Sequence, residues 1–263
     1  MPLAREKRKA GEPISIALPE RRWTEDFADD DWERSQYTWA RGYHGVYVHR
    51  SRDDGRVYKQ TVRLDCAPYR DGYTRTGVRL LAGGRLAYPL TEHHRPHNTF
   101  TYLFFSDDDG LSWGSPVAIC RDDDHRFSEP DVVEISAGEM FCILRENIAG
   151  YLYSCRSTDG GMTWSVPEQT SLFGHPGQLF VLGDGRLLCT FGRRKAPFGI
   201  RVSISEDGGR SWQSELVVRD DLPNGDLGYP TTVEFAPGKL FCVYYGQDEE
   251  GVTYVMGTHL ELD

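Results

Sequence analysis

One eight-residue phrase governs what this chain can become. It reads SDDDGLSW at residues 106–113, STDGGMTW at 157–164 and SEDGGRSW at 205–212, sharing the pattern Ser-x-Asp-x-Gly-x-Ser/Thr-Trp. A degenerate copy, SRDDGRVY, stands at 51–58. The intervals are 55, 51 and 48 residues, counted from Tyr58 to Trp113 to Trp164 to Trp212. A period of about 50 residues with turn signals inside each unit belongs to stacked supersecondary units. Within the phrase, Ser and Asp oxygens can accept from loop amides, Gly supplies positive φ, and Trp packs between sheets. The phrase therefore reads as a hairpin stapled by its own side chains, part of the scaffold and not of the chemistry. Its acidic run Asp107-Asp108-Asp109 lacks the spaced ligands and terminal Glu of a calcium loop.

The remainder of each unit repeats as well. RTGVRLLAGGRLAYPLTE (75–92), EPDVVEISAGEMFCILRE (129–146), HPGQLFVLGDGRLLCTFGR (175–193) and YPTTVEFAPGKLFCVYYG (229–246) each read as strand, Gly-containing turn, strand. A third strand leads into the box and a fourth leaves it. Four antiparallel strands repeated radially make a β-propeller blade, and apolar runs in the first two strands suit sheets buried between neighbours. The expected fold is all-β, a propeller of five or six four-stranded antiparallel blades. Five repeats are visible, at about 13–70, 77–127, 129–173, 175–227 and 229–263. An N-terminal segment, 1–40, would pack on a single propeller domain, 41–263, through Trp23, Trp32 and Trp39.

Composition excludes several functions. The net charge of −10 opposes general nucleic-acid binding. There is no signal-peptide-like apolar run and none long enough to span a bilayer, so a cytoplasmic location and no membrane partner are expected. The six cysteines show no Cys-x-x-Cys spacing, and Cys142, Cys189 and Cys242 recur at one repeat position as buried thiols. No cofactor and no metal are expected. His93, His94 and His97 would share an ion only in a bent loop. The acidic runs at 29–31 and 122–124 read as solvated loops.

The repeat register also locates a pocket. Inner strands converge on the axis, so residues at one of their ends ring a funnel, with the boxes at the opposite face. Arg75, Glu129, His175 and Tyr229 occupy equivalent starting positions, and Pro130, Pro176 and Pro230 follow the last three. The second strands return to the same rim with Thr91-Glu92, Arg145-Glu146, Gly192-Arg193 and Tyr245-Gly246. Charged and aromatic residues at positions where packing asks for small or apolar ones mark a functional rim. The structural alternative is that Arg75, Arg145 and Arg193 are surface arginines paired with Glu129 and Glu146.

The boxes, over about 43–263, resemble those of the sialidase (neuraminidase) superfamily, whose Asp boxes are also called BNR repeats. That resemblance implies a propeller, usually six-bladed, with boxes on the face away from the active site. It implies three arginines for a substrate carboxylate: Arg75 in YTRTGVRLL resembles the first of them, though Thr76-Gly77 stand where the family has Ile-Pro, and Arg145 and Arg193 would complete the set. It implies a Tyr nucleophile, matched by Tyr229 in LGYPTTVEF, with Glu129 as its base. A neutral nucleophile avoids repulsion with an anionic sugar. The family's general acid is an Asp after the first inner hairpin; the loop here, TEHHRPHNTFTY, has none, leaving Glu92, His93, His94 or His97 to donate the proton. Tyr245 would line the rim. Three functions stay open: a sialidase-like hydrolase of an acidic sugar; a uronate-glycan lyase with His175 or Tyr229 as base; and a glycan- or protein-binding propeller without catalysis.

Overall fold

The structure, a computed structural model, describes residues 1–12, 14–20, 24–38, 40–42, 45–92, 100–122 and 124–262. Strands β1 (Ile14–Ser15) and β2 (Arg41–Gly42) pair near the N-terminus, and β3 (Val46–Ser51) and β4 (Tyr58–Leu64) form a hairpin. Three four-stranded antiparallel sheets follow. The first is β5 (Arg79–Leu80), β6 (Leu86–Glu92), β7 (Phe100–Ser106) and β8 (Val117–Arg121). The second is β9 (Phe127–Ser136), β10 (Glu139–Glu146), β11 (Tyr151–Ser157) and β12 (Glu168–Phe173). The third is β13 (Gly177–Val181), β14 (Leu187–Arg193), β15 (Gly199–Ser205) and β16 (Leu216–Arg219). The last sheet has three strands, β17 (Gly228–Ala236), β18 (Lys239–Gln247) and β19 (Thr253–Glu261).

This is the β-propeller arrangement, each sheet running in sequence order from its inner strand outward. Two expectations change. The chain is mostly β and not all-β, because α1 (Pro2–Lys9) forms at the N-terminus. Pro in its first turn and Lys7, Arg8 and Lys9 in its last suit the two ends of a helix. The first repeat, 13–70, is not a four-stranded sheet among the described residues: it holds the β1–β2 pair and the β3–β4 hairpin. Of the three N-terminal tryptophans, Trp32 is described; it packs edge-on against Phe27 in a small cluster with Ile14, Ile16 and Leu18. Asp29–Asp31 open a 3-10 turn (Asp29–Arg34), with Asp31 accepting from Ala28 N at 2.9 Å.

Successive sheets stack through their apolar faces. Phe141 and Ile143 meet Leu179, Cys189 and Phe191 across one interface, and Trp212 packs against the same cluster. Trp164 closes the preceding interface and Trp113 the one before that. All six cysteines are buried free thiols. On β17 the face equivalent to Val133 and Ile135 carries Val233, 48% exposed, and Phe235, 57% exposed. Those counterparts lie against the next sheet.

The boxes are stapled as their composition requires. In the third, Ser205 Oγ donates to Asp207 at 2.8 Å and accepts from Gly209 N at 2.7 Å, while Asp207 accepts from Ser211 N at 2.8 Å and Ser211 Oγ at 2.6 Å. The other two repeat the pattern, and the degenerate copy keeps the Ser51–Asp53 half of it. Gly209, at φ +85°, has Phe141 of the neighbouring sheet 2.7 Å from where a Cβ would stand. Asp107 faces Arg85 at 3.1 Å and Asp109 bonds Arg50, so all three acids of that run have protein partners.

Two measurements follow from this packing. Hydrogen bonds from Ser112 and Thr163, side chain and then backbone, hold the Asp108 and Asp159 carboxyls down at about 2. A carboxyl depressed on folding contributes stability above its unfolded value, near 3.8, that is lost as pH falls through its folded value. The melting temperature should drop between pH about 4 and about 2, and an Asp108→Asn/Asp159→Asn variant should show a shallower drop over that window. In urea titrations at neutral pH, Phe141→Ala should cost about 3–5 kcal/mol. Phe235→Ala should cost about 0.5 kcal/mol or less. Equal costs would show the β17 face to be covered in solution.

Candidate active site

Glu129 and Tyr229 both lie within the first three residues of an inner strand, both precede proline, and both lie in the left-handed backbone region, at φ +50° and +48°. Non-glycine residues occupy that region at a cost and cluster there at functional sites. Pairing slips around each of them, between Asp131 and Ser128 on β9 and between Thr231 and Gly228 on β17. The result aims both side chains at one point. Tyr229 Oη donates to Glu129 Oε1, across 100 residues of sequence. Arg145 Nη1 donates to the other carboxylate oxygen at 3.0 Å, and Glu129 N donates to Thr91 Oγ1 at 2.9 Å. Glu129 is buried, whereas Tyr229 is 39% exposed as a residue with its hydroxyl bonded to that buried carboxylate.

Two further arginines face the Tyr229 ring, Arg75 and Arg194, each with its guanidinium carbon 5.9 Å from the ring centre. Arg75 Nη2 donates to Pro230 O. Its Nε and Nη1 are buried and, like Arg145 Nε, Arg194 Nε and His175 Nδ1, have no hydrogen-bond partner among the described residues. Burying a charged donor unpaired costs more than the net gain of an ordinary hydrogen bond. The cluster thus holds several buried donors for which the described residues supply no acceptor.

Electrostatics follow from burial. Burial, reinforced by the Glu129 charge and offset in part by Arg145 and Arg194, pushes the Tyr229 phenol up to about 12. Burial, then Arg145 and Arg194, pulls His175 down to about 3, so its ring is neutral at pH 7. Burial also lowers Arg75, against the pull of Asp131 and Glu129. Arg145 is raised despite its burial, because Glu129 faces it.

The structure brings together Arg75, Glu129, Arg145, His175 and Tyr229. Tyr245 stands at the edge, its ring 6.0 Å from that of Tyr229 and its hydroxyl donating to Asp226 at 2.7 Å. Two expected members lie elsewhere. Arg193 points to Glu215, 3.6 Å from Nη1. Glu92 is buried with Oε1 accepting from Arg70 N at 2.9 Å, as Glu146 accepts from the loop amide of Ile148 at 2.9 Å. Residues alternate faces along a strand, so Glu92, Glu146 and Arg193 share the side away from Arg145. His93, His94 and His97 lie outside the described residues.

Two members were not anticipated. Arg194 donates to Tyr245 Oη at 3.3 Å from the position after the aligned segment. The signal was present: the column holding Thr91, Arg145 and Tyr245 contains Gly192 in the third repeat. A Cβ on Gly192 would stand 3.0 Å from His175 O and 3.1 Å from Gly228 Cα, leaving the cation to come from two residues on. Tyr73 pairs with Thr91 as Ser128 pairs with Arg145. Burial, then the Glu129 charge, raises its phenol.

Residues 30–242 match the BNR repeat-like domain family. A protein of unknown function from Dyadobacter fermentans DSM 18053 has a similar structure, with 27% identity and a TM-score of 0.79 over 90% of this chain and 70% of that one. The Hadza microbial sialidase Hz136 is similar at 18% identity and a TM-score of 0.62, over 81% of this chain and 43% of its own. The intramolecular trans-sialidase from Ruminococcus gnavus is similar at 20% identity and a TM-score of 0.61, over 81% and 49%. The chain therefore spans less than half of either sialidase chain, and these two likenesses concern fold. No curated protein matches it.

The unpaired donors lead to a measurement. A millimolar carboxylated sugar such as N-acetylneuraminic acid should raise the melting temperature, and Arg75→Ala should abolish the shift. An equal shift in that variant would separate Arg75 from anion binding.

Proposed function

The chain belongs to the BNR repeat-like domain family, and from that premise we propose that it is a sialidase-like glycoside hydrolase acting on a carboxylate-bearing sugar. The observation that carries this is the Tyr229–Glu129 hydrogen bond inside a ring of Arg75, Arg145 and Arg194. Arg75 and Arg194, with Arg145 Nε, hold the carboxylate. Tyr229 Oη attacks the anomeric carbon while Glu129 takes its proton, and the bond to the leaving oxygen breaks, that oxygen departing with the electron pair and taking its proton from solvent. A phenol held near 12 is a poor nucleophile until that proton moves, and Glu129 is already bonded to it. Arg145 offsets the Glu129 charge, which keeps a carboxylate tolerable beside an anionic sugar. Water then attacks the anomeric carbon and releases a proton to solvent as the glycosyl–tyrosine bond breaks, and Glu129 returns its proton to Tyr229 Oη.

The lyase reading needs a base for the proton alpha to a carboxylate. His175, held near 3 by burial and by its arginine neighbours, is a weak one. With its own box, the β3–β4 hairpin corresponds to the outer half of a first blade, which makes five blades in this proposal.

An aryl α-sialoside tests the chemistry, since a phenol leaves without a protein proton donor. Tyr229→Phe and Glu129→Gln should each lower kcat by at least about 100-fold, while Tyr229→Phe still binds N-acetylneuraminic acid in a calorimetric titration. Unchanged turnover in Tyr229→Phe would overturn the nucleophile. Binding without turnover in the native chain would make this a glycan-binding propeller.

A further inference from the structure

A second group of cations lies beside this cluster and is not used by it. Strand alternation turns Arg193 away from Arg194, toward Phe173 at the end of β12. The Arg193 guanidinium carbon stands 5.7 Å from the Phe173 ring centre and Lys195 Nζ stands 5.9 Å from it. The Tyr151 ring meets Phe173 edge-on at 5.1 Å. Glu215 pairs with this group, 3.6 Å from Arg193 and 3.8 Å from Arg201, and the Asp220 charge also acts on Arg201. Arg201 is otherwise committed to main-chain carbonyls of Ile200 and Pro197, at 3.0 and 3.3 Å. Arg193 Nε is buried without a partner among the described residues. Arg193, Lys195 and Arg201 against Glu215 and Asp220 leave one positive charge in excess, on a chain whose net charge is −10.

Its position is informative. Phe173 is two residues from His175, so about 7 Å of chain at most separates the platform from the Arg75–Arg145–Arg194 cluster. Because β12 is the outermost strand of its sheet, the platform lies radially outward from the axis on the same rim. An aromatic ring carrying two cations offers a face for a sugar ring and charge for an anionic substituent.

We propose that the Phe173 platform is a second subsite, binding a further carboxylate-bearing sugar next to the one held by Arg75, Arg145 and Arg194. The ligand is then an acidic oligosaccharide and not a single acidic residue on a neutral chain. This rests on the acidic-sugar reading of the first cluster. The two loci act together: the inner one fixes the terminal carboxylate, and the outer one selects what is attached to it.

Calorimetric titration of the whole chain tests it with three probes: N-acetylneuraminic acid, sialyllactose and α2,8-linked disialic acid. The native protein should bind disialic acid about tenfold more tightly than sialyllactose, the scale of one charge-assisted contact. Lys195→Glu, a change at an exposed position, should remove that preference and leave N-acetylneuraminic acid binding unaltered. Lys195→Arg should retain it. Equal binding of disialic acid and sialyllactose, or an equal loss for all three probes in Lys195→Glu, would overturn the second subsite alone. If no probe binds the native chain, both the subsite and the acidic-sugar reading fall.

Discussion

Three inner strands meet on one carboxylate. Asp131 of β9 is fully buried and accepts from Arg79 of β5 through Nε, at 2.7 Å, and Nη2. It also accepts from the main-chain amide of Leu179 on β13 at 2.8 Å. Arg79 reaches on to Leu179 O at 3.3 Å. A buried pair of this kind adds little net stability compared with an apolar replacement, but losing one partner leaves a stranded charge costing about 3–5 kcal/mol. Its value lies in register. With three donors from two other sheets on its oxygens, Asp131 sets the relative height of three adjacent sheets, which stacked apolar faces alone would leave free to slide. Gln178 extends the same device to the fourth sheet, accepting from Thr232 N at 3.1 Å.

That register makes the strained pair above it possible. Glu129 lies two residues before Asp131, and Tyr229 three before Thr232. Each side chain is aimed by a left-handed backbone turn that an unanchored strand end would relax. The anchored strands oppose that relaxation, so the cost of the two conformations is met by bonds lower in the sheets. Asp131 also influences the site by charge, since it is among the groups that favour the protonated form of Arg75. Scaffold and site thus share one carboxylate.

The sheets were legible because their determinants are local. A Ser-Asp-Gly staple is complete within eight residues, and the Cys142, Cys189, Cys242 column needs only a period to be seen. Glu129, His175 and Tyr229 were legible for the same reason, as they hold one column of the repeat. Arg193 and Glu92 were misplaced because two adjacent rim residues of a strand look alike in sequence, yet face opposite ways. Reading the Thr91, Arg145, Gly192, Tyr245 column strictly would have excluded both. Tyr73 and the Arg79–Asp131 pair were not legible. Each depends on which side chain from a different sheet arrives at the same point, and no spacing within one segment encodes that.

Net charge is the last apparent conflict. A chain of −10 would repel an acidic glycan at long range, but screening limits that field to about 8–10 Å in physiological salt. Within that distance the ligand meets local charge. Asp108, Asp159 and Asp207 are bound into the boxes at the opposite face. At the site rim, Arg75, Arg145 and Arg194 outnumber Glu129, and burial keeps water from screening them. The repeat itself makes this separation possible. Strand direction sends box residues to one face and strand-start residues to the other in each sheet that carries a box. An acidic scaffold and a cationic pocket can therefore be built from the same unit without neutralising each other.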